Sequence, residues 1–170
     1  MACLYHAVPP VMVGTVLYPL NRLKDIHPEA YQRAIRKYEG REHTMLLQIP
    51  ALDCLWNDVL FLTAAHPKEM RAALDEAEFP YRPLLRSYEF DLATLDPALL
   101  AVRYHKRGKP KQHAPFDLAQ FDAYRAFHED SVAYLKECIA LETRMMLFAH
   151  VPHIFYRGKL DIRGVSVVEG

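Results

Sequence analysis

The first residue of this chain with chemistry to offer is a histidine set inside an apolar run. Leu4-Tyr5-His6-Ala7-Val8 places an imidazole and a phenol where the neighbours ask for burial. An imidazole titrates near neutrality and offers one donor and one acceptor, so His6 is a candidate to hold a ligand hydroxyl. Tyr5 can stack on a flat ring. Arg41 follows Gly40 at the end of an amphipathic stretch. Its guanidinium stays charged and presents a fork of donors, which suits a pyrophosphate better than proton transfer. Further on comes Trp56-Asn57-Asp58-Val59-Leu60-Phe61-Leu62-Thr63, closed by His66-Pro67. Asn57, Asp58 and Thr63 are small polar groups of the kind that contact a ribose or a base. A strand carrying a His, a helix ending in an Arg and a strand ending in small polar residues is one way to build a nucleotide cleft. His6, Arg41 and Thr63 are therefore expected to line one cleft, each at the end of its element.

Each of these residues also has a plainer reading. His6 can be a satisfied core histidine, and Arg41 can complement a helix dipole. Trp56 can be a core anchor, and Asp58 can cap a turn.

The elements that must position these groups follow from pattern and punctuation. Cys3 to Val8 reads as a first strand, broken by Pro9-Pro10. Pro28 opens a helix with Tyr31, Ala34, Ile35 and Tyr38 as its apolar stripe, stopped by Gly40. Val59 to Thr63 reads as a buried strand. Pro67 starts a helix with Met70, Leu74 and Ala77 on one face. Ser87 to Leu92 and Leu99 to Tyr104 alternate as strands. Phe121 to about Leu141 reads as the longest helix, with Val132, Leu135 and Ile139 on one side. Met145 to Val151 and Ile162 to Val168 close the chain as strands. Strands and helices mix without strict alternation, which predicts an α+β domain rather than a doubly wound sheet.

At 170 residues, one domain spanning 1–170 is expected, with 51% apolar and 25% charged residues arguing against disorder. Lys+Arg and Asp+Glu are equal at 21 each, so any contact with nucleic acid needs a local patch. Lys106-Arg107-Gly108-Lys109-Pro110-Lys111 is such a patch, in a loop between Tyr104 and Phe116. No apolar run approaches the roughly 18 residues of a membrane span, and the start of the chain lacks a basic, apolar leader. The reading is cytoplasmic, without a membrane partner. Cys3, Cys54 and Cys138 are odd in number and far apart, which fits free thiols rather than disulfides or a Cys-rich zinc site. His150-x-x-His153 has metal-like types, but strand spacing puts the two on opposite faces.

Taken in order, these pieces resemble a known family. Leu4-Tyr5-His6, the helix leading through Ile35 to Arg41, Ile49-Pro50 and Asp58 to Pro67 are similar to the first half of the ADP-ribosyltransferase fold. Within it they resemble the DarT-like toxins that modify nucleic acids. His150-Val151-Pro152 with Ile162-Arg163-Gly164-Val165 resembles that family's closing strand pair. The resemblance implies a mixed, mostly antiparallel split sheet with helices packed on it. It implies NAD as substrate, DNA or RNA as acceptor through Lys106, Arg107, Lys109 and Lys111, and an antitoxin as partner. It gives Arg41 a catalytic role, and Tyr5, His6, Asn57, Asp58 and Thr63 roles in binding NAD. Such enzymes place a Glu just before the penultimate strand, where this chain has Thr143-Arg144-Met145-Met146-Leu147. The nearest acid is Glu142, at the end of the long helix, where a structural role is the plainer reading. A fixed carboxylate there would stabilise positive charge developing on the ribose. The departure keeps two alternatives open: a non-catalytic nucleotide- or nucleic-acid-binding module of the same fold, and a hydrolase with a His/Asp/Glu site unrelated to NAD.

Overall fold

The computed structural model describes residues 2–104 and 112–170. Its framework is a pair of antiparallel sheets, and helices pack around them, an α+β fold. In the first sheet, β1 (Cys3–Ala7) and β11 (Ser166–Glu169) flank β6 (Arg86–Asp91). The second sheet runs β5 (Leu60–Leu62), β9 (His153–Tyr156), β7 (Leu100–Tyr104), β8 (Gln112–Pro115). Two short pairs accompany them: β2 (Val16–Leu17) with β10 (Leu160–Asp161), and β3 (Gln48–Ile49) with β4 (Cys54–Leu55).

Alternation in the second sheet divides the core. Leu60, Leu62, Ile154, Tyr156, Leu100 and Val102 share one face and pack with Leu4, Phe90 and Tyr124. Phe61, Phe155 and Ala101 lie on the other face, and there Trp56, Tyr38, Ile49 and Leu52 cover Phe155 and Ala101. This period of two is what a sheet covered on both sides requires.

The helices are α1 (Leu20–Ile26), α2 (Pro28–Ile35), α3 (Pro67–Glu76), α4 (Phe121–Arg125) and α5 (His128–Ala140). Proline stands at the first position of α2 and of α3, where its missing N–H costs nothing. At α3, the His66 ring accepts from Lys68 N–H and Glu69 returns a bond to His66 N–H, so both orphan donors are met. Met70, Ala73 and Leu74 then face Val132 and Leu135 of α5.

Three sequence expectations give way here. The helix expected over Phe121 to Leu141 is two helices, α4 and α5. Tyr124 belongs to the cluster under β7, while Phe127 belongs to the α3–α5 cluster. Three residues apart on one straight helix they would share a face, so the chain bends at Ala126–Phe127 to send them to different cores. Met145 to Val151 is a run of turns rather than a strand, with Ala149 N–H donating to Met146 O and Val151 N–H to Phe148 O. Its apolar side chains Met145, Leu147 and Phe148 pack on the α3–α5 cluster instead of entering a sheet. The strand begins after Pro152. The last strand begins at Ser166, because Gly164 turns the chain with φ +74°. Helix α1 was not legible in the sequence. No helix among the described residues is long and apolar enough to cross a membrane.

Candidate functional site at the split between the sheets

Among the described residues, the two sheets meet at one bridge. Tyr5 N–H donates to Thr63 O at 2.8 Å, and Thr63 N–H donates to Tyr5 O at 3.0 Å. In an antiparallel ladder the next rung would join Ala7 N–H to Phe61 O. Here β1 has turned away, and the Phe61 carbonyl accepts from His6 Nδ1 at 2.8 Å instead. A side chain thus takes the place of a ladder donor where the sheets diverge. A carbonyl can only accept, so this contact fixes the proton on Nδ1 and leaves Nε2 as the acceptor of the neutral ring. Burial lowers the His6 pKa below its usual value, and the Lys37 charge lowers it further, against the Phe61 bond that favours protonation. The neutral imidazole is the working form near pH 7.

One cation, Lys37, acts on His6, and Arg41 stands beside it at the Tyr38 ring. The chain leaves α2 through a tight turn, Arg36–Tyr38, which aims Lys37 and Arg41 at the same ring. The Lys37 ammonium lies 5.1 Å from the Tyr38 ring centre, and the Arg41 guanidinium 6.0 Å. Arg41 Nη2 donates to Lys37 O at 2.6 Å. Burial, then the nearby Arg41 charge, holds the Lys37 pKa below the usual lysine range. Two like charges held this close suit an anionic ligand.

Tyr5 sits on the other side of the bridge. It is 8% exposed, and its ring meets His66 edge-on at 5.0 Å. Burial raises its hydroxyl pKa well above the usual tyrosine value, helped by a hydrogen bond with Glu89, its partner on β6. Thr63 is 8% exposed, and its hydroxyl accepts from Ala65 N–H at 3.0 Å. Beside this bridge lies a cavity of about 280 Å³. Ala7, Thr63 and Ser87 contribute to its lining, together with apolar Met70, Leu147 and Phe148.

Directly paired residues of antiparallel strands share a face. Following the pairs across both sheets gives one polar row. Glu89 pairs with Tyr5, Tyr5 with Thr63, and continuing the β5–β9 register by one residue brings His153 opposite Thr63. Arg103 pairs with His153 on one side and with His113 on the other.

The residues expected to form the site therefore fall into three groups. Tyr5, His6 and Thr63 come together at the split. Arg41 reaches His6 only through Lys37, and of the expected residues Thr63 alone lines the cavity, with Tyr5, His6 and Arg41 outside its lining. Asn57 and Asp58 are bound into the framework. Asp58 accepts from Leu55 N–H and from Asn21 Nδ2, tying α1 to the turn before β5. Asn57 is 1% exposed and accepts from the Tyr38 hydroxyl at 2.7 Å. Glu142 is exposed at the end of α5, with φ +50°. Its N–H donates to Ile139 O, and Thr143 N–H donates to Cys138 O. That is a Schellman ending with Glu in the position glycine usually takes. Among the described residues, no hydrogen bond, ion pair or ring contact joins Glu142 to His6 or Arg41. The basic patch Lys106, Arg107, Lys109 and Lys111 lies outside the described residues.

His150 packs edge-on against Tyr134 at 5.0 Å, and His153 against Phe61 at 6.5 Å. No group of His, Cys, Asp or Glu among the described residues is arranged to hold a metal ion. Sequence reasoning overlooked Lys37, whose only signal was its place one turn before Arg41. It also overlooked Glu89, visible only as an acid on an alternating strand. No protein-family model matches the chain, and neither the curated proteins nor the solved structures include a match to it.

Proposed function

We propose that this protein binds NAD across the split between its sheets and transfers ADP-ribose to a nucleic acid or protein acceptor. The observation that carries the reading is the His6–Phe61 bond. It stitches an imidazole of fixed tautomer into the gap, with Nε2 left to accept from a ribose hydroxyl. Lys37 and Arg41 supply the positive charge a pyrophosphate needs. The cavity beside Thr63, of about 280 Å³ and largely apolar, is of a size to take a flat ring. The basic segment Lys106 to Lys111 would draw in a polyanionic acceptor.

A second reading is a nucleotide-binding module that performs no transfer. The exposed, helix-ending position of Glu142 favours it, because no carboxylate is held against His6 among the described residues.

Calorimetry with NAD tests the shared part. Arg41→Ala should weaken binding, and Arg41→Lys should restore it only in part, because an ammonium lacks the fork. No NAD binding by the wild type would end both readings. Nicotinamide release with DNA, RNA and lysate as acceptors separates them. Turnover abolished in Glu142→Gln with folding intact supports transfer through Glu142. Turnover that survives it moves the search for the acid to Glu89, or to Glu39 and Glu42, which flank Arg41 in the sequence. NAD binding without turnover leaves the module.

A further inference from the structure

Arg103 carries a guanidinium that is stacked on a ring and, among the described residues, meets no acceptor at its Nε. Its carbon lies 4.7 Å from the centre of the Trp56 ring, so one face is covered. Its Nε is buried and has no hydrogen-bond partner among the described residues. Arg103 enters no ion pair there, and burial alone lowers its pKa, with no carboxylate acting on it. Protein interiors rarely leave such a group unmet, because a half-buried cation that has lost water and gained no acceptor is costly.

The neighbour across the ladder repeats the pattern. His113 pairs directly with Arg103, so the two side chains share a face. Its Nδ1 is also buried without a partner among the described residues. The ring reaches over Ala101 to lie 5.9 Å from Phe155. Arg103 Nε, a donor, and His113 Nδ1, a donor in one of the two neutral tautomers, therefore stand unmet on paired residues, on the face where Trp56 packs.

We propose that Arg103 and His113 form a binding site for a phosphate group. A planar fork matches a tetrahedral oxyanion bidentately, and an adjacent imidazole donor can take a further oxygen. A phosphate fits better than a carboxylate because two adjacent donor groups call for several acceptor oxygens. The chain that joins the two residues points the same way in its sequence. It carries Lys106, Arg107, Lys109 and Lys111 and no acidic residue. The site lies on the same polar row as Thr63, two strands along from the split, and the argument for it does not use NAD binding.

The phosphate can come from a small molecule or from a nucleic-acid backbone, and the test separates the two. Inorganic phosphate, a nucleoside 5′-monophosphate, a single-stranded oligonucleotide and acetate are each titrated into the full chain. The readouts are calorimetry and the His113 ring resonances. At least one phosphate species should bind and shift the His113 signals, while acetate binds more weakly. Arg103→Gln should weaken that binding about ten- to a hundredfold, the loss expected for a charge-assisted pair. A response to the two small species assigns a small-molecule phosphate. A response to the oligonucleotide alone assigns a backbone phosphodiester. Melting curves show whether Arg103→Gln is folded. If it is not, His113→Gln serves in its place and should lose affinity several-fold. The proposal is overturned if no phosphate species moves His113, if acetate binds as well as phosphate, or if the folded variant keeps wild-type affinity.

Discussion

The proposed reading gives His6 one job on each ring nitrogen, and substitution by Asn or by Gln separates them. The amide nitrogen of an asparagine side chain falls near the place of Nδ1, while that of glutamine reaches about as far as Nε2. His6→Asn should keep a donor on Phe61 O and lose the outer acceptor. His6→Gln should strand Phe61 O and keep a polar group where Nε2 stood. A carbonyl left without its partner costs about 1–3 kcal/mol when buried. Phe61 is only partly buried, which places the cost near the lower bound, about 1 kcal/mol. For a chain of this length that is about 2–4 °C in Tm. The ligand side is a single hydrogen bond of about 0.5–1.5 kcal/mol, or about two- to twelvefold in affinity. His6→Asn should thus melt with the wild type and bind NAD several-fold more weakly. His6→Gln should melt 2–4 °C lower, by the same roughly 1 kcal/mol, and lose less affinity. Urea denaturation with an unchanged slope, alongside calorimetry, reads both. A His6→Gln variant as stable as the wild type would refute the view that the imidazole replaces a ladder rung. A His6→Asn variant with full NAD affinity would remove Nε2 from the ligand.

Acidification gives an independent check, since His6 and His113 both titrate below their usual value, through burial first and then Lys37 and Arg103 respectively. The unfolded chain takes up these protons as pH falls below about 6.5 while the folded chain resists, so stability is full above that pH and falls below it, by up to about 1.4 kcal/mol per pH unit for each group. Urea midpoints at pH 7.5 and 5.5 should show the loss, and His113→Gln should reduce it; a flat profile would contradict the burial of both rings. Tyr38→Phe removes the hydrogen bond that the buried Asn57 oxygen accepts and should cost about 1–3 kcal/mol. Adding Asn57→Leu should recover part of that, and a Tyr38→Phe cost within 0.5 kcal/mol of zero (roughly the surface background) would show the pair to be dispensable. Glu142→Gly should be neutral or stabilising by up to about 1 kcal/mol, because it relieves the left-handed backbone at the end of α5; marked destabilisation in thermal melts would mean that the Glu142 side chain holds something in place.

Where local pattern decided the outcome, the sequence was readable. Proline at the first turn and an apolar stripe defined α3, and alternation defined β6 and β7. Pattern failed where packing chose between clusters. Nothing local says that Tyr124 and Phe127 must enter different cores, so the bend between α4 and α5 stayed hidden. Nothing local says that Met145 to Val151 should lie on helices rather than join a sheet, since an apolar run serves either. The site divides along the same line. Tyr5, His6 and Thr63 stood out as polar residues in or closing apolar strands, and the fold sets them where the two sheets diverge. Asn57 and Asp58 have similar types, yet the fold uses them for its own hydrogen bonds, which only the distances to Tyr38, Leu55 and Asn21 reveal. Arg103 and His113 pair only once the register of β7 and β8 is known, so no spacing rule could join them.

The split itself explains why a histidine stands at position 6. Once β1 leaves β5 after the Tyr5–Thr63 bridge, the open edge of β5 still carries a carbonyl at Phe61 that wants a donor. An apolar residue at position 6 would leave that carbonyl to water, which suffices only while the gap is wet. A ligand that fills the gap expels the water, and an unmet carbonyl then becomes expensive. A serine or threonine has a donor but too short a reach to span the gap and still face a ligand. An imidazole has both, a donor for the framework on one nitrogen and an acceptor for the ligand on the other. The Lys37 charge and the burial that lower its pKa keep that acceptor available, because protonation would turn Nε2 into a donor. On the proposed reading, the same three features, a fixed tautomer, a lowered pKa and the nearby Lys37 charge, would suit a hydroxyl joined to an anion, as in a nucleotide.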